Sequence, residues 1–190
     1  PYQTPGIALT LAIKAALPKD TEPTIIFLEN HGLITCGQTP DEARMHHRKV
    51  TKAIQSHLGL ARYSLPDLTL TSVSPHEHTT TNHTLHQWLA RQSSILQTMP
   101  VHILFPDQVV YAEDFSFGSE SPHTVHLAPD GQLRITGSQG FAKAAVETIA
   151  AWLFLATTIP KHDLTPRTLL ATEGVFIANL DSEQYRRSVS

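Results

Sequence analysis

The chain has 190 residues, of which 41% are hydrophobic and 16% are charged, as expected for a soluble globular protein that can bury a core. Its formal net charge of −3 gives no electrostatic signature for binding nucleic acid or an anionic membrane. The single cysteine, Cys36, excludes an internal disulfide framework, so a reducing cytoplasm is the expected location.

The first predicted element is a helix that starts at Thr4-Pro5-Gly6 and ends near Leu17. Apolar residues recur at helical spacing within it, and a proline in the first turn needs no amide partner. The chain begins at Pro1 rather than Met and is predicted to be structured from Thr4. We therefore expect a fragment of a longer protein or a processed product.

Two short strands and a helix are predicted next, at residues 24–29, 32–37 and 39–61. The first strand is a continuous apolar run, which is typical of a strand buried on both faces. Thr39 can cap the helix, Pro40 takes its first position, and Glu42 completes a capping box. This helix–strand–strand–helix unit is too small for a core of its own, so we expect it to pack against something else.

The remainder of the chain divides at a polar, Thr-rich stretch, residues 64–81, which is predicted to be a linker. A helix is predicted to follow over residues 85–99. Strand patterns then occur at residues 101–105, 108–113, 123–128 and 132–136, with Asp130-Gly131 as a hairpin turn between the last two. Further helices are predicted at residues 138–159, capped by Ser138, from Thr165-Pro166, and at residues 181–189.

The helix at residues 138–159 is the most apolar one in the chain. Lys143, Glu147 and several threonines interrupt its apolar face, and no apolar run approaches the roughly 20 residues that span a bilayer. We therefore predict a core helix, and we expect neither a membrane nor a nucleic acid among the partners.

His31 is the strongest candidate for chemistry, because Asn30-His31-Gly32 follows the first strand. A strand end is a rigid position and a neutral imidazole is a good ligand for Zn²⁺, which favours a metal site. A histidine that fills a strand–turn junction while bonding a carbonyl is the alternative. Spacing alone leaves both open, since a single histidine does not make a metal site.

The other histidines offer weaker patterns. His76 and His78 form a His-x-His pair, but within the predicted linker, where nothing would hold the rings together; His83 and His86 follow closely. Adventitious metal affinity or an ordinary loop is the favoured interpretation. His46 and His47 are adjacent on a helix and diverge by about 100°, so that one is expected at the core edge and one in solvent.

Three further patterns are interpreted as structural. The carboxylates of Asp107, Glu113 and Asp114 favour solvated loops over a catalytic pair. The strand–Gly–helix sequence at residues 135–145 favours a capping turn, with a phosphate site at the helix N-terminus as the alternative. The C-terminal segment is predicted to form a surface helix, which contains Tyr185, Arg186 and Arg187.

Three segments in order, "PGIALTLAIKAAL", "IIFLENHGLITCG" and "TPDEA", resemble the closing part of the class II aldolase/adducin family. The resemblance covers residues 1–61, and the rest is loosely similar to the extra C-terminal region of long, sugar-metabolising members. It implies an α/β fold, with the closing part of an α/β/α sandwich at residues 1–63. After the linker at 64–81, a smaller α+β region is expected at residues 82–190.

By this resemblance, His31 is one of three histidines that hold a catalytic divalent metal, zinc in most members. The metal acts as a Lewis acid on a sugar phosphate or related hydroxy-carbonyl compound, for retro-aldol cleavage or epimerisation. The family's other ligands, its catalytic acidic residue and its phosphate loops lie upstream of Pro1. No catalytic residue is therefore assigned in this chain.

Two functions remain open at this stage. The chain is part of a zinc-dependent lyase or epimerase, or it is a non-catalytic, adducin-like assembly module. A binding module built on the C-terminal half is a third, unspecific option. Family members are usually tetramers with sites at subunit interfaces, so a small-molecule substrate and a homo-oligomer are the expected partners.

Overall fold

The structure is a computed structural model that describes residues 3, 6–19, 21–60, 66–112, 114–118 and 124–189. The helices there are α1 Ile7–Ala16, α2 Pro40–His57, α3 His83–Arg91, α4 Ser93–Leu96, α5 Pro106–Tyr111, α6 Gln139–Thr158, α7 Ala171–Ala178 and α8 Asp181–Val189. The strands are β1 Ile25–Leu28, β2 Gly32–Thr35, β3 Leu70–Ser74, β4 Glu77–Thr80, β5 Phe115–Phe117, β6 Val125–Leu127 and β7 Leu133–Thr136. This mixture of helices and strands confirms the predicted α/β class. The chain divides into two compact units, Pro1–Tyr63 and Ser64–Ser190.

The first unit has the predicted order of helix, two strands and helix. β1 and β2 form an antiparallel hairpin in which Ile26 lies opposite Ile34. α1 follows Gly6, whose φ of 110° suits glycine. The predicted start of this helix at Thr4-Pro5 lies outside the described residues.

The start of α2 confirms the predicted cap in part. The Thr39 hydroxyl accepts a hydrogen bond from the N–H of Glu42 at 3.2 Å, and Pro40 takes the first helical position. The Glu42 carboxylate, however, accepts from the N–H of Gln38 at 2.7 Å rather than from that of Thr39. The helix ends at His57, earlier than predicted, as the chain turns into a left-handed conformation at Gly59 (φ 58°).

The first unit has no fully buried side chain among its described residues. The expectation that the first strand is buried on both faces is wrong here, since Phe27 is 64% exposed. A two-stranded hairpin with α2 against β2 covers at most one face. That the unit packs against something else stays a prediction.

The second unit is built on a five-stranded sheet in the order β3-β4-β7-β6-β5, antiparallel except for the parallel pair β5 and β6. The prediction of a linker at residues 64–81 is wrong, because β3 and β4 lie there as the edge hairpin. These strands escape a hydropathy pattern because polar side chains face the core. Thr80 is fully buried, and its hydroxyl accepts a hydrogen bond from the N–H of Leu133 at 3.1 Å.

The strands predicted at residues 101–105 and 108–113 are also wrong. Pro106 follows the extended Phe105 and starts α5 instead. The buried Gln108 stabilises this turn, because its amide donates to Met99 O at 2.6 Å and accepts from the N–H of Leu104 at 2.9 Å. Tertiary packing therefore overrides the β preference of the valines and tyrosine that follow.

Some of the predictions for the rest of the second unit are confirmed. β6 and β7 are confirmed, and the turn at Asp130-Gly131 joins them, with the N–H of Gly131 bonded to Ala128 O at 2.9 Å. β5, at Phe115–Phe117, has no counterpart among the predicted strands. The helix expected from Thr165-Pro166 begins only at Ala171, whereas the C-terminal helix α8 is confirmed.

α6 lies against the sheet and supplies much of the core. Ser138 caps it as predicted, with its hydroxyl 3.0 Å from the N–H of Phe141. By length and composition the segment Gln139–His162 could cross a membrane. Nine side chains of α6 are nevertheless buried within this unit, including Ile149, Trp152 and Leu153, which matches the predicted core helix.

Ser138→Ala should destabilise the second unit by about 1 kcal/mol, because the N–H of Phe141 loses its cap while the rest of α6 is unchanged. Urea unfolding followed by tryptophan fluorescence measures this, since Trp88 and Trp152 both lie in this unit. The control is Ser94→Ala, on the exposed side of α4. Equal midpoints for the two variants would contradict the role of the cap.

Candidate metal-ligand site at the first hairpin

His31 lies in the three-residue turn that joins β1 to β2. Its backbone N–H donates to Leu28 O at 3.2 Å and closes the turn. Asn30 adopts φ 54° and Gly32 adopts φ 148°, two conformations that asparagine and glycine tolerate better than other residues. The sequence Asn-His-Gly thus places one imidazole at a tightly defined hairpin end.

The side chain of His31 is exposed, and its ring makes no hydrogen bond to the residues that the structure describes. The alternative interpretation, a ring that bonds a carbonyl at the junction, is therefore not observed there. Both ring nitrogens are open to an external ligand. The position of His31 as a metal ligand stays a prediction.

The described part of the chain contains no group of three or more His, Cys, Asp or Glu side chains that could hold a metal ion. A catalytic zinc site uses about three protein ligands. The described residues around His31 therefore do not by themselves fit a complete metal site. Further donors for such a site would have to come from other residues.

The pair His46-His47 behaves as predicted. His46 is half-buried and its Nδ1 lies 2.7 Å from Cys36 O, which connects α2 to the end of β2. His47 is exposed. His46 therefore has a structural role, whereas the ring of His47 is exposed to solvent.

The His76-x-His78 pair lies at a hairpin, so that the expectation of an unstructured loop is wrong. His76 is in the turn and exposed, whereas His78 in β4 is only 2% exposed. The ring of His78 lies between Ser72 Oγ (3.1 Å from Nδ1) and Gly137 O (3.2 Å from Nε2). Both nitrogens of His78 are thus occupied, and the two rings do not form a chelating pair.

The next two histidines are on α3. Nε2 of His86 lies 2.8 Å from Thr80 O and 2.9 Å from its hydroxyl, which connects the helix to β4. His83 is exposed and lies 2.8 Å from the amide of Gln87. The rings of His83 and His86 therefore do not form a shared site with the ring of His78.

Two of the three acidic residues singled out in the sequence, Asp107 and Asp114, have hydrogen-bond partners in the structure. Asp107 is in the first turn of α5 and forms an ion pair with Arg186 at 2.8 Å, so it is a helix residue rather than the predicted loop carboxylate. Asp114 accepts from the N–H of Thr124 at 2.7 Å. Glu113 lies outside the described residues.

Arg186 connects the C-terminal helix to α5. Besides Asp107 it bonds Glu183 at 2.7 Å, and its guanidinium lies 5.7 Å from the ring centre of Tyr111. Burial alone would lower the pKa of this guanidinium, but the hydrogen bond and charge of Asp107 and the charge of Glu183 raise it. Tyr185 is exposed, as expected for a surface helix.

The start of α6 is a capping turn, as favoured from the sequence. An open groove beside it is lined by Asp67, Gln139, Lys143 and Glu147, among others. Hydrogen bonds from the hydroxyl and N–H of Thr69 hold the pKa of Asp67 below its usual value. Two carboxylates against one lysine do not favour a phosphate there.

One further histidine, which the sequence patterns above do not single out, is buried in the sheet. His126 in β6 is 6% exposed, and its Nδ1 lies 3.1 Å from Ser116 Oγ. Its Nε2 is buried and has no hydrogen-bond partner among the described residues. The alternation in Val125-His126-Leu127 was a usable signal, because it puts the histidine on the opposite face from its apolar neighbours.

Comparison with known proteins identifies a family that matches the first unit. Residues 1–58 match the family model described as the class II aldolase and adducin N-terminal domain. The match spans 58 of the 190 residues and includes α1, the hairpin with His31 and α2. No curated protein and no solved structure matches the chain.

Gly32→Ala should loosen the hairpin that presents His31. A Cβ at Gly32 would contact nothing within 4 Å, so the cost is the backbone strain of φ 148° alone, on the order of 1–2 kcal/mol. Hydrogen exchange of the Cys36 amide, which bonds Thr24 O at 2.8 Å, should accelerate about tenfold. Lys52→Ala, on exposed α2, is the control, and equal exchange in both would contradict the backbone requirement.

Proposed function

We propose, because residues 1–58 match the family model of the class II aldolase and adducin N-terminal domain, that the chain is part of a metal-dependent lyase or epimerase. Its substrate would be a sugar phosphate or a related hydroxy-carbonyl compound. The observation that carries this proposal is His31, an exposed imidazole at the end of a tight hairpin within the matched residues.

In this proposal His31 is one ligand of a divalent metal ion, zinc. The backbone of its turn is constrained at Asn30 and Gly32, and its ring is open to a ligand. A rigid position lowers the entropy lost when a side chain is fixed by a metal. The remaining donors and the acid–base group would come from residues other than those described, so that His31 completes a site rather than forming one.

The assembly proposed for the protein is a homo-oligomer in a cytoplasmic location. Three side chains of the first unit support the oligomer, because Ile7, Leu11 and Phe27 are 81%, 60% and 64% exposed. Apolar side chains exposed in this number favour a covering partner. The single, exposed Cys36 supports a reducing compartment.

A non-catalytic, adducin-like assembly module is the second candidate. The same exposed apolar side chains favour it, since they suit an assembly surface whether or not a metal is bound. The two candidates differ in one respect that can be measured. Only the enzyme requires a metal that depends on His31.

The metal content of the protein, purified without a tag from the cells that make it, should be close to one divalent ion per polypeptide. His31→Ala should lose this metal and His47→Ala should retain it, because His47 is an exposed histidine of the same unit outside the hairpin. Plasma mass spectrometry after gel filtration gives the stoichiometry, and circular dichroism shows that the variants fold.

Two results would count against the enzyme. A folded protein without metal would favour the assembly module, and a metal retained in His31→Ala would remove His31 from the site. If the metal depends on His31, retro-aldol cleavage and epimerisation are then assayed on a panel of sugar phosphates. His31→Ala should lower kcat/KM at least about a hundredfold if the metal is required.

A further inference from the structure

The exposed side of α2 carries a concentrated positive charge. Residues 44–52 hold four of the chain's 14 lysines and arginines and no aspartate or glutamate. All four of these cationic side chains are exposed: Arg44, Arg48, Lys49 and Lys52. They line one open surface together with Asp41 and Met45, and we refer to the four cations as the basic face of α2. The sign of this local charge is opposite to that of the formal net charge of −3.

Helix geometry places three of these cations in a row. Residues four positions apart lie on the same side of an α-helix, and the rise of 1.5 Å per residue separates them by about 6 Å along the axis. Arg44, Arg48 and Lys52 follow one another at this interval. The half-buried His46 contacts the end of β2 through Cys36 O, and so belongs to another side of the helix. The basic face is therefore open to a partner.

Most of this charge is not neutralised within the part of the chain that the structure describes. Arg44 lies 3.3 Å from Asp41, but both side chains are largely exposed, and pairs of this kind contribute little to stability. Arg48, Lys49 and Lys52 form no ion pair with any described residue. Like charges four residues apart on a helix repel each other. Negative charges placed along the row would offset this repulsion.

The surroundings of the basic face favour a protein segment over other anionic partners. Because the whole chain is negative despite these four cations, the rest of it is more negative still and would repel a long polyanion such as DNA. The described residues that line the face include no aromatic ring on which a base could stack. They do include Met45, which is 55% exposed and offers an adaptable apolar contact.

We propose that the basic face of α2 docks an acidic helix of a partner protein. Glutamates four residues apart on such a helix are also separated by about 6 Å, so their carboxylates match the row of Arg44, Arg48 and Lys52. The planar guanidinium of Arg48 can donate two parallel hydrogen bonds to one carboxylate. An apolar side chain beside the glutamates covers Met45.

The test is the fluorescence anisotropy of a short labelled helical peptide, titrated with the full chain. The peptide carries glutamate at every fourth position and leucine beside it, and the control peptide has glutamine in place of glutamate. The acidic peptide should bind in a saturable manner, and added salt should weaken binding because it screens exposed charges. The control peptide should bind at least about tenfold more weakly.

A triple variant removes most of the basic face: Arg48→Gln, Lys49→Gln and Lys52→Gln. It should weaken binding of the acidic peptide at least about tenfold, whereas α2 should persist because glutamine is a good helix former. The matched control changes the net charge equally at exposed positions of the second unit, and it should bind like the native chain: Arg91→Gln, Arg134→Gln and Lys143→Gln.

Charge reversal gives a gain of binding that a misfolded variant would not show. A chain with Arg48→Glu and Lys52→Glu should bind a peptide that carries lysine in place of glutamate. The proposal does not rest on metal chemistry, since His31 is in the hairpin and is not among the residues that line the basic face. His31→Ala should therefore bind the acidic peptide like the native chain, so that this proposal and the metal site fail independently.

Three outcomes would overturn the docking of an acidic helix. The first is a native chain that does not bind the acidic peptide. The second is an equal loss of affinity in the two triple variants, because only net charge would then matter. The third is a single-stranded oligothymidylate that binds more tightly than the peptide and depends on the same three cations, which would make a nucleic acid the partner.

Discussion

The packing of α6 against one face of the five-stranded sheet is the interaction on which the second unit depends. Leu133 and Ile135 of β7 are fully buried on that face, as are Ile149 and Leu153 of the helix. Trp152 extends this core to the segment before α5, since its indole N–H donates to His102 O at 2.9 Å. The burial of these apolar side chains stabilises the unit and offsets the free-energy cost of burying polar groups beside them.

Several polar side chains inside this core stabilise it because they are hydrogen-bonded. Thr80 accepts from a β7 amide, Gln108 satisfies three backbone groups around α5, and His78 is bonded at both nitrogens. Each bond joins segments that are distant in sequence or fixes a turn that the backbone would not otherwise adopt. His126 departs from this pattern at one atom, since its buried Nε2 has no hydrogen-bond partner among the described residues.

The first unit is stabilised by other interactions. None of its described side chains is fully buried, and its order comes from the hairpin ladder, the Thr39 cap and the bond from His46 to Cys36 O. These local interactions define the position of His31 without a core beneath it. They present one imidazole, whereas a metal centre needs several donors. A complete metal site at this hairpin would therefore need donors beyond the described residues of this unit.

The sequence by itself determined the features that depend on local backbone preference: the α/β class, the caps at Thr39 and Ser138, the turn at Asp130-Gly131 and the family motif around His31. Only the tertiary structure decided that residues 70–80 form strands and that residues 106–111 form a helix. Both depend on hydrogen bonds to buried polar side chains, one of which joins Thr80 to Leu133 across 53 positions. The spacing of hydrophobic residues along the sequence does not indicate such bonds. A buried polar residue meets its hydrogen-bond partner only once the chain has folded.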